Sequence, residues 1–177
     1  TRPEIMIGFP GRVPDSAIWV GFQAGMQPLF PRVRFDFQHP EEILIATSGQ
    51  HLAIAGRDRW DPKAMSIKGG NSHQERSSYL AGFQFGNRDV EGFQFEYGTV
   101  NAVYSFLHDW LGIRWLWPGN PGEVVPKQNR IAISPVEYRY YPRMRMRHSI
   151  FHSLAIFKQA GAPGDDAGDW ARRQRVQ

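Results

Sequence analysis

Residues 96–126, EYGTVNAVYSFLHDWLGIRWLWPGNPGEVVP, constrain the fold more than any other stretch of this 177-residue chain. Gly98 interrupts what precedes it, and the Thr99 hydroxyl stands where it can accept an early backbone N–H of a helix. Val100, Val103, Tyr104, Leu107, Trp110 and Leu111 recur at helical spacing and so share one face, leaving Asn101, Ser105, His108 and Asp109 mostly opposite. Gly112 follows the last apolar pair and suits the left-handed residue that ends a helix. Residues 113–117 are β-branched and aromatic, which predicts a short strand that Pro118 stops. Alternation along it would set Trp115 and Trp117 on one side. Packing in a core or against another domain is the simpler use for such indoles, with stacking on a sugar as the alternative.

The N-terminal half adds strands. Residues 4–9 read as a first strand closed by Pro10 and Gly11, and residues 33–37 as another short one. Between them, Pro14, Asp15 and Ser16 offer a helix start, with Ile18, Trp19, Phe22 and Met26 as a helical stripe that Pro28 and Pro31 end. Residues 43–47 and 51–55 are apolar runs joined by Ser48-Gly49-Gln50, the pattern of a hairpin. Residues 60–78 lack a period and read as a long exposed loop. Gly82 and Gly92 each open a Phe-Gln-Phe triplet, which fits two strands around residues 86–89. Residues 130–134 predict a further strand, and 138–147 an aromatic and basic extended run. After Phe157 the composition is that of a linker, followed by DWARRQR, which resembles the opening turn of a helix. The expectation is an α+β fold, a mixed sheet with helices packed on one face: a single domain over 1–157 and a tail over 158–177.

Composition excludes several classes. The chain has no cysteine, so disulfides, thiol catalysis and cysteine-ligated zinc are ruled out. The longest apolar stretch, 17–26, is interrupted by polar and glycine residues and is far below the ~20 residues a membrane span needs. The net charge of +4 is concentrated at Arg130, Arg139, Arg143, Arg145 and Arg147, against Glu137 alone. The RMRMR alternation there is strand periodicity, and no nucleic-acid-binding motif accompanies it, so nucleic acid is not an expected partner. Thr1 is not an initiator methionine, which implies a processed chain or a fragment, and no signal peptide stands at the start.

Two motifs carry a family resemblance: LAIAGRD at 52–58, and EYGTVNAVYSFLHDWLGIRWLWPG at 96–119 with GEVVPK at 122–127. Over 40–142 the chain resembles the N-terminal domain of alpha-glucuronidase-like glycoside hydrolases, closest to their uncharacterised bacterial relatives. That domain is similar to the small one that precedes the barrel of beta-N-acetylhexosaminidases. The resemblance implies a mixed sheet with two helices on one side, a catalytic barrel as partner, carbohydrate as ligand, and a secreted or periplasmic bacterial parent. The family's catalytic acids lie in the barrel, so no catalytic residue, metal or cofactor is carried over. Residues 60–96 are longer and more aromatic than in typical alpha-glucuronidases.

The residues themselves offer little chemistry. Glycoside hydrolysis needs two carboxyl groups ~5–10 Å apart, one of them protonated. Asp58 with Asp61, and Glu91 with Glu96, are the nearest candidates, and neither pair is unusual at this carboxylate density. His148 and His152 have a helical metal-ligand spacing without a carboxylate partner. His51, His73 and His108 read as surface or loop residues. The expected role is a non-catalytic accessory domain that shapes an interdomain surface or sugar rim through Arg114, Trp115, Trp117, Tyr140, Arg143 and Arg145. A free-standing polysaccharide-binding module with exposed aromatics is the second reading. An enzyme in its own right is the third, and it would need Asp58 or Glu96 in a pocket with a raised pKa.

Overall fold

A computed structural model describes residues 2–7, 12–61 and 93–144, together with Trp170, Arg173 and Gln174. Its main element is a mixed five-stranded sheet in the order β1-β2-β4-β3-β9, formed by β1 (Glu4–Met6), β2 (Ala17–Val20), β3 (Ile43–Ser48), β4 (His51–Gly56) and β9 (Glu137–Tyr140). The first two pairings, β1 with β2 and β2 with β4, are parallel. The other two, β3 with β4 and β3 with β9, are antiparallel. The expected hairpin is present, its turn passing through Gly49 at φ 57. A two-stranded ribbon, β5 (Asp58–Asp61) with β6 (Phe93–Tyr97), leads directly into helix α1 (Gly98–Asp109), and Trp170 and Arg173 are helical as well. A second ribbon pairs β7 (Arg114–Trp115) with β8 (Glu123–Val124). This is the α+β, mixed-sheet class that the residues predict.

Alternation in the strands divides the core into two layers. Met6, Ala17, Trp19, Leu44, Ala46 and Ala53 face one side, where Met26, Phe30 and Val33 cover them. Ile43, Ile45, Leu52 and Ile54 face the other, where Ala102 and Phe106 of α1 pack with Val103, Leu107 and Trp110 at the edges. Burial on both faces explains why β3 and β4 are near-continuous apolar runs. Gly112 ends α1 as expected, at φ 70, with the Ile113 N–H donating to the Leu107 carbonyl at 3.0 Å.

Several local expectations fail for reasons of tertiary context. The helix predicted from Asp15 is strand β2 followed by a 3-10 segment, Ala24–Leu29. Ala17 and Trp19 are buried on one face while Ile18 packs on the opposite one, so pairing on both sides overrides the weak 3.6-residue stripe. Residues 33–37 form no ladder; their alternating Val33, Phe35 and Phe37 lie against the sheet face instead of extending the sheet. Residues 130–134 are also not a strand, although Ile133 reaches the α1 layer. Pro135 lacks the N–H a ladder needs, and pairing starts only after Val136, whose N–H donates to the Thr47 hydroxyl at 2.8 Å. Ser105, expected on the polar face of the helix, is fully buried. His51 lies in β4 with its ring 6.2 Å from that of Phe30, and its buried Nδ1 has no hydrogen-bond partner among the described residues. No helix among the described residues is long and apolar enough to cross a membrane.

Candidate functional site

Charged side chains gather where β4, β5, β6 and α1 meet. The chain turns there with no room to spare: a Cβ on Gly98 would lie 2.4 Å from the Arg57 nitrogen, and one on Gly56 would lie 2.1 Å from the Gly98 carbonyl carbon. Glu96, 2% exposed, binds Arg57 Nε at 3.0 Å and accepts the Glu41 N–H at 3.3 Å. Glu41 itself is buried and left-handed, at φ 53. The next carboxylate, Glu42, accepts Arg139 Nη1 at 2.6 Å and the backbone N–H groups of Gln38 and His39 at 2.7 and 2.8 Å. Burial pushes the Glu42 carboxyl up, but these donors outweigh it and hold the group below its ordinary range.

Asp58 moves the other way. The residue is exposed as a whole, yet its carboxyl is tucked against the start of α1, where it accepts the Thr99 N–H at 3.0 Å. Burial raises its pKa above the ordinary value, hydrogen bonds from Thr99 oppose the rise, and the Glu96 carboxylate adds to it. The Thr99 hydroxyl is not a cap. It accepts the Gly56 N–H at 3.2 Å and donates to the Gly56 carbonyl at 3.3 Å, joining α1 to β4. A raised carboxyl beside a second carboxylate is the electrostatic pattern that acid–base catalysis uses. Here the Asp58 and Glu96 oxygens point at a helix start, an arginine and a backbone N–H, a geometry that holds the ribbon, helix and sheet together. Asp61, Glu91, His73, His148 and His152 lie outside the residues whose side chains are described.

The second cluster forms on the β7–β8 ribbon. Gly122 sits so close to its neighbours that a Cβ there would lie 2.0 Å from the Trp117 carbonyl oxygen. This tight return places Glu123 opposite Trp115, whose indole N–H donates to Glu123 Oε1 at 3.0 Å. Trp115 is 5% exposed. Tyr104 of α1 meets its ring edge-on at 5.7 Å. The Arg173 guanidinium lies 5.6 Å over that ring and 3.8 Å from Glu123. The Trp115 carbonyl accepts both the Trp170 indole N–H, at 2.7 Å, and the Gln174 amide, at 2.6 Å.

The expected rim residues therefore divide. Arg114, Trp115 and Trp117 belong to the β7–β8 region, while Tyr140 and Arg143 lie at or just past the end of β9, on the outer strand of the main sheet. Arg145 lies outside the described residues. Arg114 turns back to donate to the His108 and Ile113 carbonyls at 2.5 and 3.0 Å. Trp115 and Trp117 do not share one environment: the strand ends at Trp115, and Trp117 is 40% exposed. Tyr140 and Arg143 are both exposed. One helix touches both regions, through Tyr104 on Trp115 and Trp110 on Tyr138 at 5.4 Å.

Sequence reasoning passed over Glu123, Trp170, Arg173 and Gln174. A readable signal existed for the last three, because spacing of i, i+3 and i+4 places them on one helical face. Nothing local marked Asp58 as the acceptor for the Thr99 N–H at the start of a helix, 41 residues later. Comparison with protein-family models, curated proteins and solved structures finds no match for this chain.

Proposed function

We propose that this chain is a non-catalytic N-terminal accessory domain of a carbohydrate-active, alpha-glucuronidase-like glycoside hydrolase, and that it packs on a catalytic barrel through the β7–β8 region. One observation carries the reading. Leu116, Trp117, Val124 and Val125, in or next to a short ribbon, are all exposed, whereas its tryptophan, Trp115, is already buried under a later part of the chain. Exposed apolar patches mark protein contacts. The motifs at 52–58 and 96–127 agree with the reading, since their glycines and tryptophan build this ribbon and the joint that supports it. It entails a parent protein that is exported and acts on polysaccharide.

The test is the reading frame beyond the codon for Gln177. A continuing frame of barrel length, carrying paired carboxylates, is the expected result. A stop codon there would overturn the reading. The exposed Trp117 then favours a free-standing polysaccharide-binding module, which quenching of tryptophan fluorescence by soluble polysaccharides would detect.

A further inference from the structure

We infer that the β7–β8 ribbon is a docking surface for an aromatic–basic helix of this same chain, one that presents an indole, a guanidinium and a carboxamide at positions i, i+3 and i+4. Three unlike interactions converge on one strand pair. The Trp170 indole and the Gln174 amide share the two lone pairs of the Trp115 carbonyl, and the Arg173 charge is placed between the Trp115 ring and the Glu123 carboxylate. The Gln174 N–H donates to the Trp170 carbonyl at 3.0 Å, so the donors are held by helical geometry. Glu123 serves both partners, because it also fixes the Trp115 indole. The occupant is this chain's own helix: its charge complements Glu123, and its donors already fill the carbonyl that a second copy would need. The assignment deepens the accessory-domain reading by naming what sets the joint, and it can be tested in this chain whatever follows Gln177.

Limited trypsin digestion with mass detection of the fragments tests it. Arg173 supplies a cleavage site in the docked turn, with Arg172 and Arg175 next to it in sequence, and Lys127 and Arg130 supply exposed reference sites. In the parent chain, cleavage at 172–175 is expected to be slow relative to 127 and 130. Trp170→Phe combined with Gln174→Ala, which removes both donors and keeps an aromatic ring, should speed cleavage at 172–175 about tenfold and leave the reference sites unchanged. Glu123→Gln should produce a smaller rise, and the single Gln174→Ala variant repeats the test with little risk to folding. Equal rates at 172–175 in the parent and all variants would overturn the dock while leaving the accessory-domain reading to its own test.

Discussion

Asp58 caps α1 from another strand: its Oδ1 accepts the Thr99 N–H at 3.0 Å, across 41 residues of sequence. The carboxyl is held above its ordinary pKa, chiefly by burial, with Glu96 adding to the rise and Thr99 opposing it. The folded state therefore binds this proton more readily than the unfolded state does. Stability contributed by this group falls as pH rises from the ordinary carboxylate range through the folded pKa. Asp58→Ala should cost about 1 kcal/mol through loss of the cap. Asp58→Asn keeps the acceptor and removes the charge facing Glu96, so it should be at least as stable as the parent at neutral pH. Urea unfolding at pH 4 and pH 7 checks both. A cost for Asp58→Asn equal to that for Asp58→Ala would show that the charge, and not the acceptor, makes the cap.

Glu42 has the opposite sign. Its folded pKa is lowered, so its contribution is present above the unfolded carboxylate range and is lost as pH falls through the folded value. Arg139→Ala leaves a carboxylate whose side chain is 3% exposed with only backbone donors, and should cost about 2–3 kcal/mol at neutral pH. Arg139→Lys should recover little, because Arg139 bridges Glu42 and the Arg34 carbonyl with two nitrogens and lies over the Phe37 ring. Glu42→Gln should flatten the acid limb of the stability profile; an unchanged limb would exclude Glu42 as its source.

Gly98 is constrained by contact. Its φ lies outside the left-handed region, yet a Cβ would meet the Arg57 nitrogen at 2.4 Å and its carbonyl oxygen at 2.5 Å. Backbone cannot yield as a flexible side chain can. Gly98→Ala should therefore destabilise by about 3 kcal/mol or more, although alanine is the better helix former. Expression yield and thermal midpoint are the readouts, and a midpoint at or above the parent's would contradict the close approach.

How legible these features were depends on the range of the interactions that made them. The β3–β4 hairpin and the Gly112 stop are written in residues within a few positions of one another, and both were readable. Strand β2 was not, because Ile18, Trp19 and Met26 fit a helical stripe until partners on both edges and both faces are supplied. Thr99 looked like a cap because capping residues are identified locally, whereas the actual cap arrives from β5. Trp115 is buried, whereas Trp117, which alternation along residues 113–117 would set on the same side, is separated from it by the end of a two-residue strand. The dock at Trp115 needs Glu123 on one side and Trp170, Arg173 and Gln174 on the other, and only their spacing, not their target, can be read from the chain.

The two tryptophans should separate cleanly under mutation. Trp115 is 5% exposed and fastened through its indole, its ring and its carbonyl, so Trp115→Ala should cost about 3 kcal/mol or more and also release the docked turn. Trp117 is 40% exposed, and Trp117→Ala should change stability by less than about 1 kcal/mol. In the proposed reading its further effect falls on the contact surface. In a parent protein that carries a barrel, Trp117→Ala should weaken the joint between the two bodies, seen as faster proteolysis between them at an unchanged thermal midpoint for this domain. In a free-standing module the same substitution should abolish fluorescence quenching by polysaccharide. A large stability loss at Trp117 with neither effect would mean that this indole is structural, and the exposed apolar residues would lose their standing as a contact surface.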